Sequence, residues 1–456
     1  MTYYLAIDIG ASSGRHILGS LQNGKIVLEE IYRFDNGIKD VDGTLVWDIE
    51  SLTESVKAGI KECKRLGKIP KTVAIDTWGV DYVLIDGEGK EIWPCVSYRD
   101  GRTESAAEEV ASIISQSELY AATGIQKQSF NTIYQLYCDK KSGKLDKASR
   151  FLMVPEYLSY KLTGVMKNEY TNATTTNLVN ASTKTWDLEI IDKLGLPREI
   201  FHSLSLPCDT VGGFSEEVKE QVGFDAEVIL APSHDTASAV AACPIGDNAV
   251  YISSGTWSLI GTENLTPCTS FEAQKANFSN EGGIEYRYRF LKNIMGMWLF
   301  QSVRRNINKS LTYDQMMELA MGSEFVRTVD PNDKRFVAPE SMIDAVCEYL
   351  EEPTLSLADV LSSLYHSLAK SYKRAIEEIE RISNKTIEEI HIVGGGSRDS
   401  YLNRLTAHYT GKRVFTGVME GTAAGNLISQ IMKDKKITLT EAREIIKNTF
   451  EIKEFK

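Results

Sequence analysis

The chain opens on an apolar run, Leu5-Ala6-Ile7, that continues through Asp8 and Ile9 and stops at Gly10-Ala11-Ser12-Ser13-Gly14-Arg15. That pattern predicts a strand breaking into a tight loop whose amides and hydroxyls can hold an anion. Between 15 and 33, β-branched and aromatic residues flank Asn23-Gly24, a hairpin signal, so the loop joins strand to strand. From 44 to 66 the period changes: Leu52, Val56 and Ile60 recur at helical spacing after Asp48, ending at Gly67 and Pro70. A crossover helix is predicted there. Thr72-Val73-Ala74-Ile75-Asp76 repeats the opening pattern, and Thr77-Trp78-Gly79-Val80-Asp81 leads into a second strand to about Ile85, which reads as a hairpin. Residues 103–165 read as mostly helical and close at Gly164, and the polar run Tyr170–Asn177 fits neither period and reads as a loop.

A second anchor is the short strand Glu227-Val228-Ile229-Leu230-Ala231, followed by Pro232-Ser233-His234-Asp235-Thr236 and the small residues Ala237–Cys243. This predicts a close-packed helix with Ser233 as N-cap and Asp235 in its first turn, at the positive end of the helix dipole. After Pro244 the pattern restarts. Tyr251–Gly261 is again strand, polar turn and strand, which sets the expected domain boundary near 245. A long amphipathic helix is predicted from Ser356, with Asp359 as its capping partner and Leu357, Val360, Leu361, Leu364, Leu368 and Ile379 at core spacing. It leads into strand Ile387–Val393, the loop Gly394-Gly395-Gly396-Ser397, where a flat ligand can lie against backbone, and a helix from about Asp399.

Composition narrows the function. A length of 456 residues fits two or three domains. With 51 Lys and Arg against 63 Asp and Glu, the net charge of −12 argues against nucleic acid as a partner. Seven scattered cysteines form no C-x-x-C pair, so neither a zinc site nor a disulfide framework is expected. There is no basic n-region with an apolar h-region at the start and no run of ~18 apolar residues, so a cytoplasmic protein without membrane association is expected.

The opening loop lacks the G-x-G-x-x-G spacing and the following helix of a dinucleotide fingerprint. The chain also lacks the P-loop and the paired H-R-D and D-F-G elements of protein kinases. Asp76 and Asp81 are candidate acceptors for hydroxyls and Trp78 a candidate face for a sugar ring, against the plainer reading of a hairpin with Trp78 in the core. Taken singly, Asp235 reads first as a dipole partner and His234 as a structural histidine rather than a catalyst. The sequon Asn172-Ala173-Thr174 stands without a secretory signal.

Together these segments resemble the actin-like ATPase fold as used by carbohydrate kinases of the FGGY family. The likeness covers most of the chain: Asp8–Arg15, Asp76–Asp81, Tyr170–Asn177, Ser233–Thr236, Ser253–Ser258, Lys292–Gly296 and Gly394–Ser397. Single glycine loops are cheap matches; seven segments in order are not. The resemblance implies an α/β protein with two actin-like, ribonuclease H-like ATPase domains, 1–244 for sugar and phosphate and 245–456 for nucleotide, and a cleft between them. It implies a sugar and ATP as small-molecule partners, Mg²⁺ as cofactor, and a monomer or small homo-oligomer. ATP phosphates would be held by Ala11, Ser12, Ser13, Gly14 and Arg15 and by the turn at Thr256, with adenosine against Gly395 and Gly396. Asn293 and Gln301 would reach substrate or nucleotide, and Asp8 would hold the metal directly or through water. The sugar would sit on Gly79, His234, Asp235 and Thr236, with Asp235 accepting the proton of a ketose 1-hydroxyl and its helix start keeping it ionised. L-Rhamnulose is the implied ketose, with L-fuculose and L-ribulose as alternatives.

A non-kinase ATPase of the same fold is the rival class. A repressor would add a helix-turn-helix and a chaperone a client-binding domain, and the sequence shows neither. Paired cysteines that some family members carry have no counterpart in 403–411, so no disulfide is carried over. Because the chain stops at Lys456, a last segment that returns to the first domain is expected to be missing.

Overall fold

The computed structural model describes residues 1–456, and its first sheet grows outward from the opening strand, β1 (Tyr3–Ile9). Tyr4 to Ile7 are buried without a break, because this strand is covered on both faces. β2 (Ser13–Gln22) returns antiparallel, with Asp8 opposite Arg15, and β3 (Lys25–Asp35) follows through Asn23 and Gly24, both at positive φ as a type I′ turn requires. Helix α1 (Ile49–Arg65) then crosses over. Asp48 caps it by accepting the Ser51 amide at 3.0 Å, and Leu52, Val56, Ile60 and Cys63 form its buried stripe.

The crossover delivers strand Pro70–Thr77 parallel to β1, with Asp8 in register with Asp76. Strand Glu227–Ile229 lies parallel beyond it, and the sheet order is Thr210–Gly213, Glu227–Ile229, Pro70–Thr77, β1, β2, β3. Here the predicted second hairpin fails. Tyr82–Ile85 leaves this sheet and pairs antiparallel with Arg150–Met153. Val80 at φ 69° turns the chain, and the Asp81 carboxylate is held by the Trp47 and Trp78 indoles (2.6 and 2.9 Å) and Gln135 (3.1 Å), so the strand cannot fold back.

Tyr170–Asn177 is not a loop either. Its first seven residues form a short α-turn and a 3₁₀ turn, all buried. Glu169 accepts the Thr171 and Asn172 amides, and the hydroxyls of Thr174, Thr175 and Thr176 donate to carbonyls three residues back. Local hydroxyl bonds thus complete a polar run that no hydrophobic period could announce.

The chain divides into two compact units. The first comprises Met1–Ala242, Asn264–Phe290 and Gly421–Thr449; the second comprises Cys243–Glu263, Leu291–Glu420 and Phe450–Lys456. The returning segment expected to be missing is therefore present at 421–449. Within the first unit, helix Gly421–Lys435 reaches the central strands through Asn426 Nδ2 to Asp76 (2.6 Å) and Gln430 Nε2 to the Leu5 carbonyl (3.0 Å). Gly425 of this helix lies so close to the Ser238 carbonyl, in helix Asp235–Ala241, that a Cβ would collide with it.

The second unit repeats the scheme. Strand Ala249–Ser254 pairs antiparallel with Trp257–Asn264 and parallel with Glu389–Val393, and Arg413–Thr416 and Lys453–Phe455 extend the sheet. Helix Leu357–Ser383 precedes the parallel strand. Ser356 caps it by accepting the Asp359 amide (3.1 Å), and Val360, Leu361, Leu364 and Leu368 are buried.

Candidate active site

Parallel strands end on the same edge, and in the first unit that edge gathers carboxylates. Asp8 and Asp76 are in register, and Thr77 bridges to His234 with its amide donating to the Ser233 carbonyl at 2.9 Å. Arg15 donates to Asp8 Oδ2 from Nε and Nη2 at 3.1 and 3.0 Å. Asp76 is fully buried; Asn426 donates to Oδ2, while Oδ1 has no partner. Burial, then the Asp8 charge and more weakly that of Asp235, push the Asp76 carboxyl well above the usual carboxylate range, against the Asn426 hydrogen bond and Arg15. Crowded oxygen anions with an unpartnered buried oxygen are a fitting donor set for a hard cation. No three such side chains could ligate one ion together. A Mg²⁺ here would keep water and substrate oxygens in its shell, as that ion commonly does.

Asp235 opens helix Asp235–Ala241 next to this edge, and its N-cap is His234. Ser233 does not cap it: its hydroxyl lies 2.7 Å from both Glu156 Oε1 and Glu169 Oε2. The Thr236 amide donates to Asp235 Oδ1 at 2.6 Å. A helix start was expected to keep Asp235 ionised, yet desolvation raises its pKa, and the opposing pulls of His234, the Thr236 amide and Arg289 only partly offset it.

His234 is oriented from behind. Its Nδ1 lies 3.2 Å from Glu281 Oε2 and from Arg289 Nη2, and its Nε2 lies 2.7 Å from Thr236 Oγ1. Because Arg289 cannot accept, the Nδ1 proton is assigned to Glu281. Burial works against the Glu281 charge, but Arg289 at 2.9 Å and His234 outweigh it and hold the carboxyl at about 2. A Cβ on Gly79 would lie 3.2 Å from the Thr175 side chain and 3.3 Å from His234 Nε2, so Gly79, His234, Asp235 and Thr236 do come together. Trp78 and Asp81 do not join them. Trp78 packs against Trp47 with ring centroids 4.1 Å apart and planes tilted by 38° inside the core, and Asp81 is fully buried, its carboxyl pushed up to about 6 by that burial against its four hydrogen bonds. Of the plainer reading, the core placement of Trp78 holds and the hairpin does not.

In the second unit Thr256, Gln301, Gly395 and Gly396 line one cavity of ≈ 680 Å³, with Met297 and Tyr313 among its other walls. Gly395 has open space where a Cβ would stand, whereas Gly396 packs against the Ser254 side chain. Asn293 is not part of that wall; it sits on strand Tyr288–Met295 with its buried Oδ1 unpartnered. The Ala11–Arg15 loop belongs to the first unit, closed by the Gly10 amide on the Ser13 carbonyl at 2.9 Å, with Ser12 exposed. Gly14 is there for packing, since a Cβ would strike the Phe34 ring.

Sequence reading missed Glu281 and Arg289; Arg289, a charge inside the strand-like run Tyr286–Leu291, was a usable signal, whereas Glu281 stands among Ser, Asn and Gly. It also missed Glu156 and Asn426, which lie on helices, and Glu169, which ends a two-residue strand; none carries a local mark.

Comparison with known proteins matches two family models in chain order, so 264–290 and 421–433, which pack in the first unit, fall within the second model. Residues 3–242 match the N-terminal domain model of the FGGY family of carbohydrate kinases, and 250–433 match its C-terminal domain model. A rhamnulokinase of Oceanobacillus iheyensis is 47% identical over 455 residues, covering 98% of this chain and 97% of the relative. The Bacillus subtilis rhamnulokinase is 41% identical over 460 residues, covering 99% and 95%. Among solved structures, ligand-bound xylulose kinase from Lactobacillus acidophilus superposes with a TM-score of 0.84 at 16% identity, covering 100% of this chain and 94% of that one. Plasmodium falciparum glycerol kinase with ADP gives 0.78 at 12%, covering 99% and 94%. At such identities these two show the shared fold.

Proposed function

The chain belongs to the FGGY family of carbohydrate kinases, and on that premise we propose that it transfers the γ-phosphoryl group of ATP to the 1-hydroxyl of L-rhamnulose. The observation that carries this reading is the 47% identity over essentially the whole chain to proteins named rhamnulokinase.

Each residue then has a task. Gly79 leaves room for the ketose beside Thr175 and His234, where any side chain would press on both. His234 and Thr236 present polar atoms to the sugar, with Glu281, itself held by Arg289, fixing the imidazole plane. Asp235, its Oδ1 engaged by Thr236, accepts the 1-hydroxyl proton, a role in which a placed base contributes roughly 10²–10⁴-fold. The desolvation that raises its pKa also makes it a stronger base than a solvated carboxylate.

The second unit supplies the nucleotide site, with the adenosine on Gly395 and Gly396 and Thr256 and Gln301 lining the same cavity. Ala11, Ser12, Ser13, Gly14 and Arg15 offer amides, hydroxyls and a guanidinium to phosphate, and Asn293 offers its free amide oxygen to substrate. Asp8, with Asp76 beside it, would hold Mg²⁺, which supplies charge neutralisation on the transferring phosphoryl group. The seven cysteines are all free thiols, in keeping with a cytoplasmic enzyme. No helix is long and apolar enough to cross a membrane.

A ketose panel with coupled ADP detection tests the reading. L-Rhamnulose is expected to give the highest kcat/KM, about 10²-fold above L-fuculose and L-ribulose, because misplaced hydroxyls leave buried polar groups unpaired. A higher value for either alternative, or no turnover with any ketose, overturns it.

A further inference from the structure

The Ser233 hydroxyl has one proton and two carboxyl oxygens at 2.7 Å, Glu156 Oε1 and Glu169 Oε2. A hydroxyl donates once, so it cannot serve two carboxylates together. One of the pair must therefore be a carboxylic acid that donates to Ser233 Oγ. The surroundings are lopsided. Glu169 also accepts the Thr171 amide and hydroxyl (2.7 and 2.6 Å), the Asn172 amide (3.0 Å) and the Ser233 amide (3.2 Å). Glu156, in the first turn of helix Val154–Thr163, has Ser233 as its one side-chain hydrogen-bond partner, on Oε1, with only weaker pulls from its own amide and that of Glu169, and its Oε2 is buried without a hydrogen-bond partner. Both side chains are closed off from solvent, at 1% and 0% exposure, so an ionised Glu156 would be an unscreened second charge beside Glu169.

We infer that Glu156 keeps its proton and donates it to Ser233 Oγ, which in turn donates to ionised Glu169, and that this one-way chain is the device that positions Asp235 two residues on. The lock acts on backbone. Ser233 also gives its carbonyl to the Thr77 amide at 2.9 Å, and the Pro232 carbonyl accepts the Ser238 hydroxyl at 2.7 Å. The base is thereby held against both the strand edge and its own helix. Burial and the Glu169 charge raise the Glu156 pKa well above its usual value, which agrees with the geometry. Glu156 and Glu169 are positioning residues, and their effect on turnover rests on the kinase reading above.

The same isosteric change should have opposite outcomes at the two positions. In Glu156→Gln the amide N–H replaces the acid O–H as donor to Ser233, so Glu156→Gln is expected to recover most of the kcat lost in Glu156→Ala. Glu169→Gln puts an NH₂ among donors and is expected to lower kcat about 10²-fold, the order a small displacement of a reacting group can cost. KM for ATP should not move in any of them. Infrared difference spectra of the parent minus Glu156→Gln at pH 7 should contain the C=O stretch of a buried carboxylic acid.

Absence of that band, or a loss of kcat in Glu156→Gln as deep as in Glu169→Gln, overturns the inference. If Glu169→Gln does not fold, the band and the Glu156→Gln to Glu156→Ala comparison decide. If the parent has no kinase activity, the kinase reading fails, and the band still decides where the proton sits.

Discussion

Glu281 keeps its charge in a buried place because Arg289, itself fully buried, is 2.9 Å from its Oε2 and His234 Nδ1 reaches the same oxygen at 3.2 Å. This has a pH consequence with a definite sign. An unfolded glutamate titrates near 4.3 and the folded one at about 2, so the stabilisation is full above ~4.3 and is lost as pH falls through 2. The shift corresponds to about 3 kcal/mol. Urea midpoints of the parent are expected to fall over that window, and Glu281→Gln should be less stable at pH 7 and flatter below pH 4.3. A variant with an acid limb as steep as the parent's contradicts the account. Single residues were legible where their neighbours in sequence were also their partners: Asp48 as a cap and Asn23-Gly24 as a turn follow from local rules. Asp81 and Trp78 misled because their partners, Trp47 and Gln135, are remote in the chain.

Elements follow the same logic. β1, β2, α1 and helix Leu357–Ser383 were readable from period and capping, since each declares its buried face within a few turns. The pairing of Tyr82–Ile85 with Arg150–Met153 was not, because a period-2 pattern states that a strand has an inner face and nothing about its neighbour. Helix Gly421–Lys435 is the clearest case: its small residues gave no sign that the whole helix returns to the first unit. Gly425→Ala forces a methyl against the Ser238 backbone and is expected to cost at least ~1–3 kcal/mol, the usual range for overpacking. It should also lower kcat, because Ser238 lies in the helix that Asp235 opens. Gly37→Ala, which meets open space at an ordinary φ, serves as the control and should change neither. Equal thermal shifts in the two variants would count against close approach at 425.

At the scale of the whole molecule the account is a division of labour. The first unit holds the carboxylate edge, Gly79 and the 232–236 segment; the second holds the cavity with Thr256, Gln301, Gly395 and Gly396. Fold class and family were readable from motifs in order, whereas the true composition of each unit was not, because 264–290 and 421–449 join the first unit through tertiary contacts alone. If the base and the nucleotide site belong to different units, chemistry and ATP affinity should separate under mutation. The measurement that tests this most directly is Asp235→Asn, assayed for L-rhamnulose phosphorylation and, by calorimetry, for ATP binding. The account predicts kcat lowered by at least ~10² with the ATP dissociation constant within about threefold of the parent. Unchanged turnover in Asp235→Asn would contradict it.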